Sequence, residues 1–346
     1  MRSHLVSHEK GGIKWGLTGL KIKNFNFKML ELVHFQITKN CNLRCWFCGQ
    51  WGKKGFFADD KGTLVTLAEW KKVVESIKSY GAKVGKLPDI MLWGGEPLVS
   101  PIFDELALYL KDNGFKIGMV TNGVLLNEHI GVINGAVSVL YVSLDGYRET
   151  HDAIRGKGVY DKVLSNLHLV DSKKVKIRVM SVTSDATVKD LVKFTDDLSN
   201  CHVEKLILQD RIALKKSEAD EYAKWLKEEF NLPSISVYGY VDESYTAPDL
   251  SLTDFSKFKV KVEHNAQGVV KNRCCYGPNK HAHIAWNGNV LFCTDFFDFS
   301  AGNVKNGDLI DIFNSDTAEK YRRGVEAGKC TACDHCSWKN SETFYL

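Results

Sequence analysis

No apolar run in this 346-residue chain approaches the roughly 18 residues that a membrane-spanning helix needs. The N-terminus is polar and carries no apolar core of the kind that drives export. A cytoplasmic location is therefore expected, with no membrane partner. Internal repeats and low-complexity tracts are also missing, which sets aside repeat arrays and disordered scaffolds. An excess of one charge is nearly absent. The 46 Lys and Arg against 42 Asp and Glu leave +4, too little on this length to argue for nucleic acid. With 44% hydrophobic and 25% charged residues, the chain reads as an ordinary globular protein, long enough for one large α/β domain and a smaller one.

Ten cysteines are present, and they do not read as a disulfide scaffold. The chain is large, has no export signal, and gathers its thiols at two places, a pattern that favours metal binding. Cys201 stands apart from both groups and reads as a small buried hydrophobe. In the first group, Cys41, Cys45 and Cys48 stand in the spacing C-x3-C-x2-C. Iron–sulfur clusters normally take four cysteine ligands. Three thiolates can hold three irons of a cubane and leave the fourth iron open to a substrate or cofactor. The apolar stretch Leu32 to Thr38 precedes them and reads as a buried strand. The triplet thus falls on the loop leaving the C-terminal end of a strand, where barrel and open α/β folds place their chemistry. A zinc knuckle would also use thiols, but zinc usually wants four ligands in paired units.

This segment resembles the cluster motif of the radical S-adenosylmethionine (SAM) enzymes, in which an aromatic residue, here Phe47, precedes the third cysteine. The resemblance implies a 4Fe–4S cluster on Cys41, Cys45 and Cys48, with SAM chelating the open iron. One electron from the cluster would cleave SAM to methionine and a 5′-deoxyadenosyl radical that takes hydrogen from a substrate. An electron donor such as flavodoxin or ferredoxin is implied as a partner.

Residues 1–30 are basic, and Leu20 to Phe27 alternates as a short strand would. From Leu32 to about Phe230 strand and helix signals alternate. Candidate strands are 32–38, 88–93, 116–121, 138–144, 175–182 and 203–209. A helix begins at Thr66, whose Thr-x-x-Glu pattern with Glu69 is a capping box. Leu67, Trp70, Val73, Val74 and Ile77 form its apolar face. Six β-α units imply a parallel sheet with right-handed crossovers, too few for eight-stranded closure. The fold class expected is α/β: a partial (β/α)6 TIM-like barrel, as in the radical SAM core, with a small C-terminal α+β domain. The expected divisions are an extension at 1–30, the core at 31–230, a linker at 231–262 and the auxiliary domain at 263–346.

Other strand ends carry chemistry. Gly94-Gly95-Glu96-Pro97 resembles the family element whose backbone binds the SAM amino group, and glycines let backbone approach a ligand closely. Thr121-Asn122-Gly123 and Ser143-Leu144-Asp145-Gly146 also end strands, and Asp-Gly is a strong turn signal. Ser143 through Gly156, with His151, Asp152 and Arg155, resembles a stretch shared by the SPASM branch. There the serine and arginine contact the SAM carboxylate, and an Arg fork suits a carboxylate by bidentate geometry. Phe47 and Trp46 are candidates for the adenine pocket or for the core.

The second thiol group is C-terminal. Cys275-x17-Cys293 spans a hairpin-like stretch, with Ile284 to Trp286, a turn at Asn287-Gly288-Asn289, then Val290 to Phe292. Cys330-x2-Cys333 follows. The order resembles the SPASM/twitch domain and implies a second, auxiliary 4Fe–4S cluster on Cys275, Cys293, Cys330 and Cys333. Cys274 and Cys336 remain rivals for ligand places, and four thiolates also suit structural zinc. Asp295 is a candidate catalytic base, displaced by one position from the Asp that serves one SPASM class.

The expected function is a radical SAM enzyme that oxidises or otherwise modifies a small molecule of sugar or aminocyclitol type. The rivals are a ribosomal peptide maturase or epimerase and, from a different class, a two-cluster electron carrier or redox sensor.

Overall fold

The computed structural model describes residues 29–50, 62–233, 236–266 and 277–336. The proposed strand at Leu20 to Phe27, and Cys274 and Cys275, lie outside the described residues.

Six parallel strands appear where hydrophobic runs predicted them. They are β1 (Leu32–Gln36), β2 (Asp89–Trp93), β3 (Ile117–Thr121), β4 (Val139–Ser143), β5 (Lys176–Val182) and β6 (Lys205–Gln209). Each hydrogen-bonds to the next in parallel register. The intervening helices are α1 (Leu67–Val84), α2 (Phe103–Asp112), α3 (Ile130–Ala136), α4 (Arg148–Arg155), α5 (Val159–Leu167), α6 (Asp185–Lys189), α7 (Leu191–Asn200) and α8 (Lys216–Phe230). β1 is buried at every position, as a strand covered on both faces must be. Val33 and Phe35 face the helices, where Phe35 stacks on Trp70 at 4.5 Å. Leu32 faces the other way and packs with Met91, Val139, Tyr141 and Ile207.

α1 forms as its sequence dictates. Thr66 Oγ1 accepts from Glu69 N at 3.3 Å while Glu69 Oε2 accepts from Thr66 N at 2.7 Å, closing the capping box. Trp70, Val73, Val74 and Ile77 are buried, and Gly85 ends the helix in the left-handed region at φ 79°.

The sheet runs further than six strands. β7 (Lys261–Asn265) adds to β6 in parallel, crossing the position between 262 and 263 where the sequence suggested a boundary. Lys261 to Asn265 contains one aliphatic residue, Val262, so no hydrophobic run announces it. Its partners come from tertiary structure, including the Lys205–Glu263 ion pair at 2.8 Å. On the opposite edge, after the short helix α9 (Gly277–Lys280), β8 (His281–Ile284) pairs in parallel with β1. Antiparallel β9 (Asn289–Leu291) and β10 (Gly302–Asn303) follow. The order is β10-β9-β8-β1-β2-β3-β4-β5-β6-β7. The hairpin expected around Asn287 is present, and its first strand welds the C-terminal segment to the strand that carries the cysteine triplet. α10 (Leu309–Phe313) and α11 (Asp316–Glu326) complete this segment. A final 3-10 turn, Thr331–His335, rests on α8: Thr331 Oγ1 donates to Glu218 O at 2.7 Å, and His335 Nε2 meets Glu218 Oε1 at 2.8 Å. No helix among the described residues is long and apolar enough to cross a membrane.

Candidate active site

The loop after β1 is held by backbone. Gly95 N donates to Thr38 O at 2.9 Å and Glu96 N to Asn40 O at 2.8 Å. A Cβ on Gly94 would collide with the Thr38 carbonyl oxygen, and one on Gly95 with that of Asn40. Both glycines are therefore required for contact with the cysteine loop itself, and both also line the cavity described below. Within the loop Cys41 Sγ accepts from Leu43 N at 3.4 Å, and Cys48 N donates to Cys45 O at 3.1 Å. Cys45 is buried, with Cys41 and Cys48 half-buried. Burial raises the thiols of Cys41 and Cys45 above their ordinary range, and the neighbouring thiols of the triplet add to it; Arg155 opposes the shift at Cys45. The three sulfurs thus stand in one another's field, a repulsion that bound iron would relieve.

Glu96 is fully buried and turned away from solvent. Its carboxylate accepts from Thr121 Oγ1 at 2.7 Å, Asn122 N at 2.7 Å and Leu98 N at 3.1 Å. Burial pushes its pKa up to about 7, against those hydrogen bonds. Glu96 thereby fixes the end of β3. From there Asn122 Nδ2 donates to Asn42 Oδ1 at 2.8 Å and stands 3.8 Å from Cys41 Sγ.

Asp145, also fully buried, accepts from Arg155 Nε at 2.7 Å and from Val182 N at 2.9 Å. This aims Arg155 at the loop, with its guanidinium 6.0 Å from the Phe47 ring centre. His151 Nδ1 accepts from Asp145 N at 3.1 Å, so the ring is neutral there, and burial lowers its pKa to about 4. Ser143, Phe47 and Cys48 line the cavity, whereas Trp46 is 68% exposed.

The cavity, of about 490 Å³, lies between the strand ends and the C-terminal segment. His34, Trp93 and Met180 contribute from the sheet, Asp210 from the end of β6, and Asp295 and Phe297 from beyond β9. Burial raises Asp295 to about 6, and Thr294 Oγ1 donates to its carboxylate at 3.3 Å. Cys293 Sγ accepts two backbone amides, Asp295 N and Phe296 N, each at 3.4 Å, as a ligating thiolate does. Cys330 and Cys333 bring their sulfurs together, with Cα atoms 5.5 Å apart. Cys336 N donates to Cys333 O at 3.3 Å, which ties the Cys336 backbone to the same turn. Among the described residues no three His, Cys, Asp or Glu side chains converge as around one metal ion. A cubane is wider than one ion, and its ligand sulfurs stand further apart.

The sequence motifs missed Asn122 as a contact of the cysteine loop, Asp145 as the partner of Arg155, and Tyr240 and His34 as cavity walls. Asn122 and Asp145 sit in strand-end turns that were noted. Tyr240 lies in the irregular 231–262 stretch, where no periodic signal marks it.

The sequence model of the radical SAM superfamily matches residues 35–198, and that of an iron–sulfur cluster-binding domain, SPASM, matches residues 274–337. The chain carries a radical SAM domain followed by a SPASM domain. It is therefore an enzyme whose cofactors are a SAM-binding 4Fe–4S cluster, SAM and an auxiliary cluster in the SPASM domain. Two curated relatives come from Methanosarcina barkeri. An Fe-coproporphyrin III synthase is 25% identical over 89% of this chain and 80% of its own length. An AdoMet-dependent heme synthase is 25% identical over 88% of each chain. Among solved structures, Streptococcus suis SuiB bound to S-adenosylmethionine is 15% identical with a TM-score of 0.63, covering 89% of this chain and 73% of SuiB. That likeness establishes the radical SAM fold, a partial barrel with a C-terminal SPASM domain.

Proposed function

We propose that this radical SAM enzyme modifies a small molecule with a broad apolar body, and that tetrapyrrole carboxylates are the class to test first. The reading is carried by one observation: Cys48 of the triplet loop and Asp295, two residues beyond Cys293, line the same cavity. Cys41, Cys45 and Cys48 would hold the SAM-binding cluster, and Cys293, Cys330 and Cys333 the auxiliary one, with Cys275 as fourth ligand. Bound there, SAM and its cluster supply abstraction of a hydrogen atom, and the auxiliary cluster exchanges one electron with the substrate site.

The chain's own side chains do the rest. Asn122 fixes the loop at Cys41. Arg155, oriented by Asp145, offers its remaining N–H groups to the SAM carboxylate, and Gly94, Gly95 and Ser143 border the same site. Phe47, Trp93, Met180 and Phe297 exclude water and favour flat apolar faces, while Gln209 and Arg211 supply polar anchors for carboxylates on another wall. A sugar or aminocyclitol would leave hydroxyls against the apolar side without partners, a costly arrangement. The two curated relatives are named for porphyrin products, which supports the same choice. A low-potential carrier such as flavodoxin or ferredoxin would approach the loop at exposed Trp46.

The test is anaerobic titration of reconstituted protein with Fe-coproporphyrin III. A shift of the porphyrin absorption band and faster 5′-deoxyadenosine release are expected. Release that the porphyrin leaves unchanged, with no band shift, would discard the tetrapyrrole class. No release under any condition would discard the reading as a whole.

A further inference from the structure

We propose that Tyr240 is the hydrogen-atom donor of this cavity, restored to the phenol by an electron arriving through Cys293. The proposal rests on the reading of Cys293 as an auxiliary-cluster ligand. Tyr240 ends the 3-10 turn Val237–Tyr240, and its side chain lines the cavity that Cys48 also lines. Its ring packs edge-on against Phe296 at 5.2 Å. Its hydroxyl donates to the Asp295 carbonyl oxygen at 3.0 Å, and the amide of the same Asp295 donates to Cys293 Sγ at 3.4 Å. Two hydrogen bonds and one residue of backbone therefore connect the phenol to the thiol.

The turn is clamped in this position. Ser236 N donates to Asp298 Oδ1 at 2.8 Å, Ser236 Oγ bonds Asp298 Oδ2, and Phe297 N donates to Ser236 Oγ at 3.1 Å. The Tyr240 carbonyl accepts from Leu214 N at 2.9 Å, which fixes the other side. Burial, and then the charges of Asp295, Cys293, Cys48 and Cys336, hold the phenol well above its ordinary pKa. It therefore keeps the O–H hydrogen that such a donor needs.

The electrons come from the low-potential carrier that also reduces the SAM-binding cluster, and that carrier re-reduces the auxiliary cluster after each step. A carbon radical in the cavity takes the phenolic hydrogen atom: the O–H bond breaks homolytically, a C–H bond forms, and a phenoxyl radical remains. One electron from the reduced auxiliary cluster and one proton from water return the phenol, and the cluster is left oxidised by one electron. The outcome for the substrate is redox-neutral, or the step disposes of a radical that has no substrate to attack.

The test needs no substrate. Holoenzyme is supplied with SAM and a reductant in D2O, where the phenolic hydrogen exchanges for deuterium, and the 5′-deoxyadenosine is examined by mass spectrometry. The wild type should place one deuterium in it. Tyr240→Phe keeps the ring packing and should release the nucleoside with that deuterium lost. Equal deuteration in both proteins, or none in the wild type, overturns the proposal. Freeze-quenched wild type should also show a phenoxyl EPR signal that narrows when ring-deuterated tyrosine is incorporated. If Tyr240→Phe fails to load iron, this signal decides, and its absence overturns the proposal. Absence of 5′-deoxyadenosine from both proteins would instead remove the proposed function beneath it.

Discussion

Replacing Glu96 should loosen the iron site from a distance, because its carboxylate joins the end of β2 to Asn122 at the cysteine loop. Glu96→Ala leaves three buried donors, Thr121 Oγ1, Asn122 N and Leu98 N, without their acceptor. Each unsatisfied group costs about 1–3 kcal/mol, so the sum is about 3–6 kcal/mol after partial relaxation. Glu96→Gln keeps one oxygen but turns an amide nitrogen toward a donor, so about 1–3 kcal/mol is expected. The two variants also differ in pH dependence. Burial raises Glu96 to about 7 in the folded protein, above its ordinary 4.5. The folded state then binds more protons than the unfolded one between those values. Its contribution is fully present below 4.5 and is lost as pH rises through about 7, on the order of 3 kcal/mol. Glu96→Gln does not titrate, so its penalty should be larger at pH 5.5 than at pH 8. Denaturant unfolding of the anaerobic holoenzyme at both pH values measures this, with iron per chain counted alongside. Equal stability and iron content for wild type and Glu96→Ala would refute the reasoning, as would a Glu96→Gln penalty that grows toward pH 8.

Three further outcomes follow from the geometry. Gly95→Ala places a methyl group onto the Asn40 carbonyl oxygen and should displace the triplet loop, lowering iron bound there; full iron loading would show that the loop yields freely. Arg155→Lys keeps charge but loses the fork that Asp145 orients, and should weaken SAM binding by at least about 1 kcal/mol in direct titration; unchanged affinity would assign Arg155 to Asp145 alone. Cys275→Ala should cost much more auxiliary iron than Cys274→Ala, since Cys275 is the residue that the 17-residue spacing to Cys293 assigns as ligand; equal losses would defeat the choice of Cys275.

The elements legible in the sequence were those whose signal is local. Hydrophobic runs located β1 to β6, and Thr66 with Glu69 marked the start of α1. The C-x3-C-x2-C spacing and Gly-Gly-Glu-Pro pointed to the loop and its support because chain connectivity alone brings each to a strand end. β7 was hidden because Lys261 to Asn265 is largely polar and depends on β6 for pairing. The parallel pairing of β8 with β1 joins residues some 250 positions apart, as in His34 beside His283, and no local pattern encodes it. Glu96 entered the sequence reading only as part of Gly-Gly-Glu-Pro, and its three donors come from Leu98, Thr121 and Asn122, two of them on another strand end. Tyr240 entered the site through a turn in a stretch read as linker, where its partner Asp295 lies 55 residues away.

The central claim is that one thiol group supports SAM cleavage while the other carries a separate cluster beside the same cavity. Iron content and 5′-deoxyadenosine release, measured on wild type and on the protein with Cys41, Cys45 and Cys48 changed to Ala, test it directly. The account predicts about eight irons per wild-type chain, about four in the triple variant, and no 5′-deoxyadenosine from that variant. A triple variant that still releases 5′-deoxyadenosine, or a wild type that holds about four irons or stoichiometric zinc, would contradict it.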